Sequence, residues 1–344
     1  MRFLLTSEQL AFARSLDAML TAADTPSAVR AWGAGDAGPG RALWSRAAGA
    51  GIFALVAPEA YEGAGLHPVE LALSCVELGR HAAPGPFVET VAAAALLTRL
   101  AELGEAGPAK RLLPPVVSGA CVASVLFPGA RPYALDADRA DAVLVVADQA
   151  DQAGQADQAG RPGPAGPELR LAPGHGPVQA SADPARRLSR PLPGGELLAA
   201  GPAVADAVEH ATVWARLAAA GQCIGLAQAL LDRTVAYVKQ RTQFGAPIGS
   251  FQAVKHRLAD TLVAVEFARP LLFGAALSLA PGDVAAAKVS AGEAAYAAAR
   301  AALQLHGAVG YTQELDLSLW LRKARPLRDA WGTPGECRAL VLAG

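Results

Sequence analysis

Residues 241–260 read RTQFGAPIGSFQAVKHRLAD and separate two long runs of helical apolar spacing. The stretch reads as the end of one helix, a Gly/Pro loop, and the start of the next helix with Ser250 as its cap. Arg241 offers a planar fork suited to phosphate oxygens, Phe244 an apolar plate, and Gln252 an amide that both donates and accepts. Together they suit a dinucleotide. A purely structural reading stands beside this one: Arg241 completing the last helical carbonyls and Phe244 anchoring a core. Spacing alone favours the structural reading.

On either side of this stretch the chain changes character twice. From Ser7 to about Arg111 it reads as helices joined by short Gly/Pro turns. SEQLAFARSLDAMLTAA, from Ser7, carries Leu10, Phe12, Ala13, Leu16, Met19 and Leu20 near a 3.6 period, with Ser7 as the expected N-cap. HPVELALSCVELGRHAAPGP, from His67, is a second helix, with Pro68 in its first turn and Gly85-Pro86 beyond its end. After Pro114-Pro115 come short β-compatible runs, GACVASVLFP, ADAVLVVAD and PELRLAP, separated by turn residues. Between the last two lies DQADQAGQADQAGRPGPAGP, a low-complexity segment with no apolar face, expected to be a mobile loop. From Pro202 long alanine-rich helical runs return, broken only by glycines, as in a packed bundle. The expected fold is mainly α with a small central β domain: helical 1–115, β 116–200, and a four-helix bundle 201–344.

Composition excludes several classes of function. With 344 residues, Lys plus Arg 30 against Asp plus Glu 31 and a net charge of -1, no basic field exists for nucleic acid or anionic lipid. No apolar window reaches the ~18 uninterrupted residues of a membrane span, and Glu8, Arg14 and Asp17 break up the apolar start that a secretion signal would need. Cys75, Cys121, Cys223 and Cys337 are scattered, without metal-ligand spacing or a disulfide framework, so reduced thiols in a cytoplasmic protein are expected and no metal site.

A second motif, QLHGAVGY, starts at Gln304, with Gly307 and Gly310 permitting close backbone approach to a ligand. His306 within it is read as a helix end beside a cofactor loop rather than a proton relay. The two motifs, their separation and the helix–β–helix order together resemble the acyl-CoA dehydrogenase family. VAPEAYEGAGL and ELGRHAAPGPF are similar to its N-terminal domain; RTQFGAPIGSFQAVKHRLAD and the run from AAAKVSAGEAA to GYTQELDLSLWLRKA are similar to its C-terminal bundle. The resemblance implies FAD held at a subunit interface, where these segments of one chain embrace the ADP half of the neighbour's flavin. Carried over, the contacts are Arg241, Gln243, Phe244, Gln252, Gln304, Gly307 and Ala308, with Ala308 in place of a family glycine.

The same resemblance implies desaturation of an acyl-CoA thioester, with a carboxylate removing the α-proton as flavin N5 takes hydride from the β-carbon, and an electron-transfer flavoprotein or similar acceptor downstream. Counting from Tyr311 brings Gly332-Thr333 onto the family's G-T and Trp331 onto its glutamate. Indole only donates and accepts no proton. The family's alternative base position, one residue before Arg216, holds Ala215. Loss of a general base alone removes about 10²–10⁴ in rate. The β unit departs too. VLFPGARP stands where the family has a T-E-P-G-A-G-S-D-like turn, no tryptophan lies between Trp44 and Trp214, and Gly335 replaces a usual glutamine. The expectation is therefore a subunit that resembles the shortened, non-catalytic partner in actinobacterial heteromeric (α2β2) acyl-CoA dehydrogenases, completing a catalytic partner's FAD site. Two alternatives remain: a homomeric enzyme using Glu314, Asp316 or Glu266 as base, and a non-redox protein binding acyl-CoA or a partner.

Overall fold

The computed structural model describes residues 4–129, 132–147 and 166–343. In them the helices are α1 Ser7–Ala22, α2 Thr25–Ala34, α3 Gly38–Gly49, α4 Pro68–Arg80, α5 Phe87–Glu102, α6 Ala106–Val117, α7 Pro202–Gln240, α8 Gln252–Ser278, α9 Pro281–His306, α10 Leu317–Asp329 and α11 Pro334–Ala343. The strands are β1 Val56–Ala57, β2 Gly65–Leu66, β3 Ala123–Leu126, β4 Ala134–Leu135, β5 Ala142–Ala147, β6 Glu168–Leu171, β7 Leu188–Ser189, β8 Glu196–Ala200, β9 Thr242–Gln243 and β10 Ala246–Pro247. The helix–β–helix order expected from the sequence is present, and each of the three β-compatible runs contains a strand. Most of the low-complexity segment, and Ala130 and Arg131 of VLFPGARP, lie outside the described residues.

Two helix starts differ from expectation. Thr6, with extended backbone at φ -70 and ψ 167, caps α1 in place of Ser7. Its hydroxyl accepts from the Gln9 N–H while the Gln9 side chain accepts from the Thr6 N–H, because Gln9 sits three residues on and completes a capping box. At α8 the cap position is Phe251, which makes no side-chain cap, and the Ser250 hydroxyl instead donates to the Pro247 carbonyl. A third boundary also moves. α6 runs through Pro114-Pro115 to Val117, each proline giving up one helical N–H bond close to the helix end.

The chain forms two compact units that interleave along the sequence, whereas the boundaries expected at 115 and 200 follow changes of composition. One unit comprises Trp32–His67 and Gly85–Ala215. Its centre is a four-stranded sheet in the order β3-β5-β6-β8, with β3 and β5 parallel and the other pairs antiparallel. Helix α5 is tied to it by the Thr90 hydroxyl, which donates to the Ala123 carbonyl at 2.6 Å. Trp44, Phe53 and Phe87 form an aromatic cluster, with Trp44 4.4 Å from Phe53 and 4.7 Å from Phe87 between ring centroids.

The other unit comprises Met1–Ala31, Pro68–Pro84 and Arg216–Gly344. Here α9 packs against α8, α10 and α11, and α4 packs against α1 and α8. The glycines that seemed to break α7 in sequence do not interrupt it; they let α4 come close. A Cβ on Gly225 would lie 1.8 Å from the Val76 carbonyl oxygen, so any larger residue there would push the helices apart. Trp320 is fully buried; its indole N–H donates to the Arg80 carbonyl at 2.8 Å, and the Arg233 guanidinium lies 3.7 Å from its ring centroid. Among the described residues α8 is the one helix long and apolar enough by composition to cross a membrane. One of its faces, with Val265, Ala268, Leu272 and Ala276, is buried in this unit, and another leaves Leu262, Val263, Phe267, Leu271 and Leu277 exposed.

Candidate functional site

Helix α7 ends in a tight hairpin. Strands β9 and β10 pair antiparallel, and the residues at the tip, Phe244 and Gly245, both have positive φ, 56° and 77°. A two-residue turn of that hand ordinarily takes Asn-Gly, so a phenylalanine there is held against its backbone preference. Its ring gains little burial in return. Phe244 is 94% exposed, with Phe251 edge-on at 6.2 Å. The core-anchor reading of Phe244 is overturned. Arg241 is exposed as well, and among the described residues its guanidinium has no carboxylate or carbonyl partner, so it does not complete the helix end. Its backbone does the fastening: the N–H donates to Tyr237 O at 2.9 Å, and the carbonyl accepts from Ile248 N at 2.8 Å. Gln243 and Gln252 are exposed on the same loop and at the head of α8.

The second motif closes α9. Gly307 follows at φ 61 and ψ -140, a conformation open to glycine, and Gln304, Gly307 and Ala308 are exposed. Gly310 is buried under a 3₁₀ turn where a Cβ would lie 3.2 Å from both the His306 Cβ and a Leu303 side-chain carbon. His306 itself is 6% exposed. Its Nδ1 lies 2.8 Å from the Ala302 carbonyl, which only accepts, so Nδ1 carries the proton. Burial pushes the imidazole pKa below its ordinary value, and the ring stacks on Tyr237 at 4.1 Å. All the expected nucleotide contacts thus lie in one unit, on two segments whose roots meet at the Tyr237–His306 stack. Tyr237 was not singled out in the sequence; its signal was its place one helical turn before Arg241.

The turn at the end of α10 is built differently. Ala330 is extended, Trp331 has φ 59 and Gly332 φ 124. Arg216 Nε donates to the Trp331 carbonyl at 2.9 Å, and Lys288, 1% exposed, donates to the Arg328 carbonyl at 2.7 Å. Two cations thereby satisfy carbonyls left open where the helix stops. Lys288 was missed in the sequence, although its apolar neighbours Val284, Ala285 and Ala291 mark a buried helix face. A Cβ on Gly332 would lie 2.8 Å from Cys337 Sγ. The carboxylate next in sequence, Glu336, accepts from the Thr333 N–H at 2.7 Å and the Thr333 hydroxyl at 2.8 Å, and the Thr333 backbone bond foremost holds its pKa below the usual range. It caps α11. The Trp331 indole is a donor only and offers no acceptor for a proton. Ala215 is fully buried in α7, and Gly335 is exposed.

The other candidate bases are surface groups. Asp316 pairs with Arg30, Glu266 lies 3.6 Å from Arg269, and Glu314 is exposed. One acidic cluster was not expected. Asp17, Glu77 and His81 bring ligand atoms within 4.8 Å of one another, but Arg80 Nη1 sits 3.7 Å from Asp17 and 3.2 Å from Glu77, where a cation would be held. The cysteines are free thiols: Cys75, Cys223 and Cys337 are buried and Cys121 half-buried. Burial raises Cys75 to about 12 and Cys121 to about 11, so neither is a nucleophile near neutrality.

Comparison with known proteins shows the family and the fold. The family profile for the acyl-CoA dehydrogenase N-terminal domain matches residues 6–120, and that for the C-terminal domain matches residues 205–342. Acyl-CoA dehydrogenase IpdE2 of Mycobacterium tuberculosis is 35% identical over 314 residues, covering 90% of this chain and 89% of that protein. Among solved structures, the ChsE4-ChsE5 complex from Mycobacterium tuberculosis matches with TM-score 0.79 at 25% identity, over 99% of this chain and 98% of that one. A Tcur3481-Tcur3483 steroid ACAD matches with TM-score 0.80 at 25% identity, over 98% and 97% of the respective chains.

Proposed function

The chain belongs to the acyl-CoA dehydrogenase family, and from that premise we propose that it is a non-catalytic subunit of a heteromeric member, completing the FAD site of a catalytic partner. The observation that carries this reading is Phe244, 94% exposed on a strained turn beside Arg241, whose guanidinium has no carboxylate or carbonyl partner among the described residues. A chain does not hold an aromatic ring in water against its backbone preference unless something covers it. The exposed apolar face of α8, with Phe267 72% exposed, supports an assembly as well. The names of two structural neighbours pair different chains, and one is called a steroid enzyme; this favours a heteromer acting on a steroid-derived acyl-CoA.

The residues present fit an ADP moiety. Arg241 would hold pyrophosphate oxygens, Phe244 would cover the adenosine, and Gln243, Gln252, Gln304, Gly307 and Ala308 would line the remainder, with Gly307 having nothing within 4 Å of where a Cβ would stand. FAD, when bound, supplies the two-electron acceptor for α,β-desaturation. This chain contributes binding and orientation; proton removal falls to a carboxylate of the catalytic partner, because Trp331 and Ala215 occupy both family positions for a base. Electrons would pass on to an electron-transfer flavoprotein or similar acceptor in the cytoplasm. A homomeric enzyme finds no support in Asp316 or Glu266, both engaged in ion pairs. The reading is tested by assaying acyl-CoA oxidation with a dye acceptor: activity is expected from the co-expressed pair and none above background from this chain alone. Turnover by the purified chain alone would overturn it.

A further inference from the structure

The two arms that would hold the nucleotide grow from different helices, so something must set the distance between them. Arg241, Gln243 and Phe244 follow α7, and Gln304, Gly307 and Ala308 end α9. The hairpin tip has almost no packing of its own, so its position is fixed at its root. That root is Tyr237, whose carbonyl takes the Arg241 N–H at 2.9 Å. The root of the other arm is His306, between Gln304 and Gly307. The two rings stack with centroids 4.1 Å apart and planes at 21°, and the Tyr237 hydroxyl reaches the His306 carbonyl at a long 3.4 Å. His306 is locked from its far side too. Nδ1–H is held by Ala302 at 2.8 Å, and Gly310 folds back so closely that a Cβ there would meet the His306 Cβ at 3.2 Å.

The geometry points to the Tyr237–His306 stack as the positioning element that sets the spacing between the Arg241–Phe244 arm and the Gln304–Gly307 arm, and through it the affinity for the ADP half of FAD. This rests on the nucleotide-holding role proposed above and adds residues outside the contact set. Binding arms need placement within about 0.5 Å, and an aromatic pair contributes about 0.5–1.5 kcal/mol beyond its buried area.

The test uses the complex with its catalytic partner, stripped of flavin and titrated with FAD, with ADP as competitor. His306→Ala is expected to weaken both by about tenfold, the upper end of that aromatic-pair range. His306→Phe, which keeps a ring in the stack, should stay within about threefold of the unaltered complex, and Tyr237→Leu should match His306→Ala. The double variant His306→Ala/Tyr237→Leu should be no worse than either single one, as a shared interaction requires. Unaltered affinity in His306→Ala overturns the inference, and so does a loss in His306→Phe as large as in His306→Ala, which would make the imidazole a direct contact. If His306→Ala fails to assemble, Tyr237→Leu beside Tyr237→Phe carries the same comparison. Arg241→Ala separates the levels: normal FAD affinity there removes the nucleotide role itself, whereas weak binding there beside an unaffected His306→Ala removes only the stack.

Discussion

The hairpin after α7 and the turn after α10 use the same backbone device for opposite ends. Each places a large aromatic residue in left-handed backbone just beyond a helix, Phe244 at φ 56 and Trp331 at φ 59. Phe244 stays 94% exposed beside the edge of Phe251, and among the described residues the Arg241 guanidinium has no carboxylate or carbonyl partner. Around Trp331 the chain has closed: Arg216 holds its carbonyl, Lys288 holds the carbonyl of Arg328, and Cys337 sits against Gly332. Strain facing solvent needs a partner to justify it, whereas strain held by the chain's own cations is part of the fold. On the proposed reading the first turn serves another molecule, whereas the second is part of the fold.

The largest effect should come from stripping the open turn. The Arg241→Ala/Phe244→Ala variant loses a charge-assisted phosphate contact and a stacking plate, together about 3–4 kcal/mol, so FAD affinity of the complex should fall a few hundredfold in a flavin-fluorescence titration. Thermal unfolding should move little, because neither side chain is buried. Arg216→Ala should do the reverse. Removing a charged donor from the Trp331 carbonyl is expected to cost about 1.5–3 kcal/mol of stability, read from urea midpoints, with FAD affinity unchanged. If Arg216→Ala instead emptied the flavin site, the two turns would not be separable.

A smaller effect concerns acid. Burial lowers the pKa of His306 and of His210, and the indole N–H of Trp214 donates to His210 Nε2 at 3.0 Å, so both rings are neutral in the fold. With folded values below the unfolded value of 6.5, their stabilisation is complete above that pH and is lost as the pH falls beneath it. Urea midpoints at pH 7.5 and 5.5 should show the decline, and His306→Phe should reduce it. The smallest effect belongs to the closed turn. Trp331→Phe should leave the turnover of the complex within about threefold, since on the proposed reading the proton is taken by the partner and an indole accepts none.

How much of this the sequence disclosed depended on whether the cause was local. The helix–β–helix order was legible because apolar period and turn residues are local signals, and the three β runs each hold a strand. Caps at Thr6 and Phe251 were misplaced by one residue: at α1 two neighbouring hydroxyls compete, and at α8 the Ser250 hydroxyl donates to the Pro247 carbonyl instead of capping. The interleaving of 1–31 and 68–84 with the C-terminal helices was not legible, because it arises from helix contacts far apart in sequence, such as Gly79 and Gly225 admitting close helix approach. At the candidate site, Arg241 and Phe244 were legible as residue types. Whether they faced a core or water was not, and spacing alone favoured the wrong answer. Tyr237 and Lys288 left only indirect signals, because each acts through a neighbour in space that the sequence does not pair with it.

The most direct measurement is flavin per polypeptide. This chain should be purified alone and after co-expression with a full-length acyl-CoA dehydrogenase subunit from the same genome, and its bound FAD counted by absorbance. Colourless protein alone and one FAD per two chains in the complex is the expected result. One FAD per chain in the isolated protein, with oxidation of an acyl-CoA thioester, would contradict the helper role.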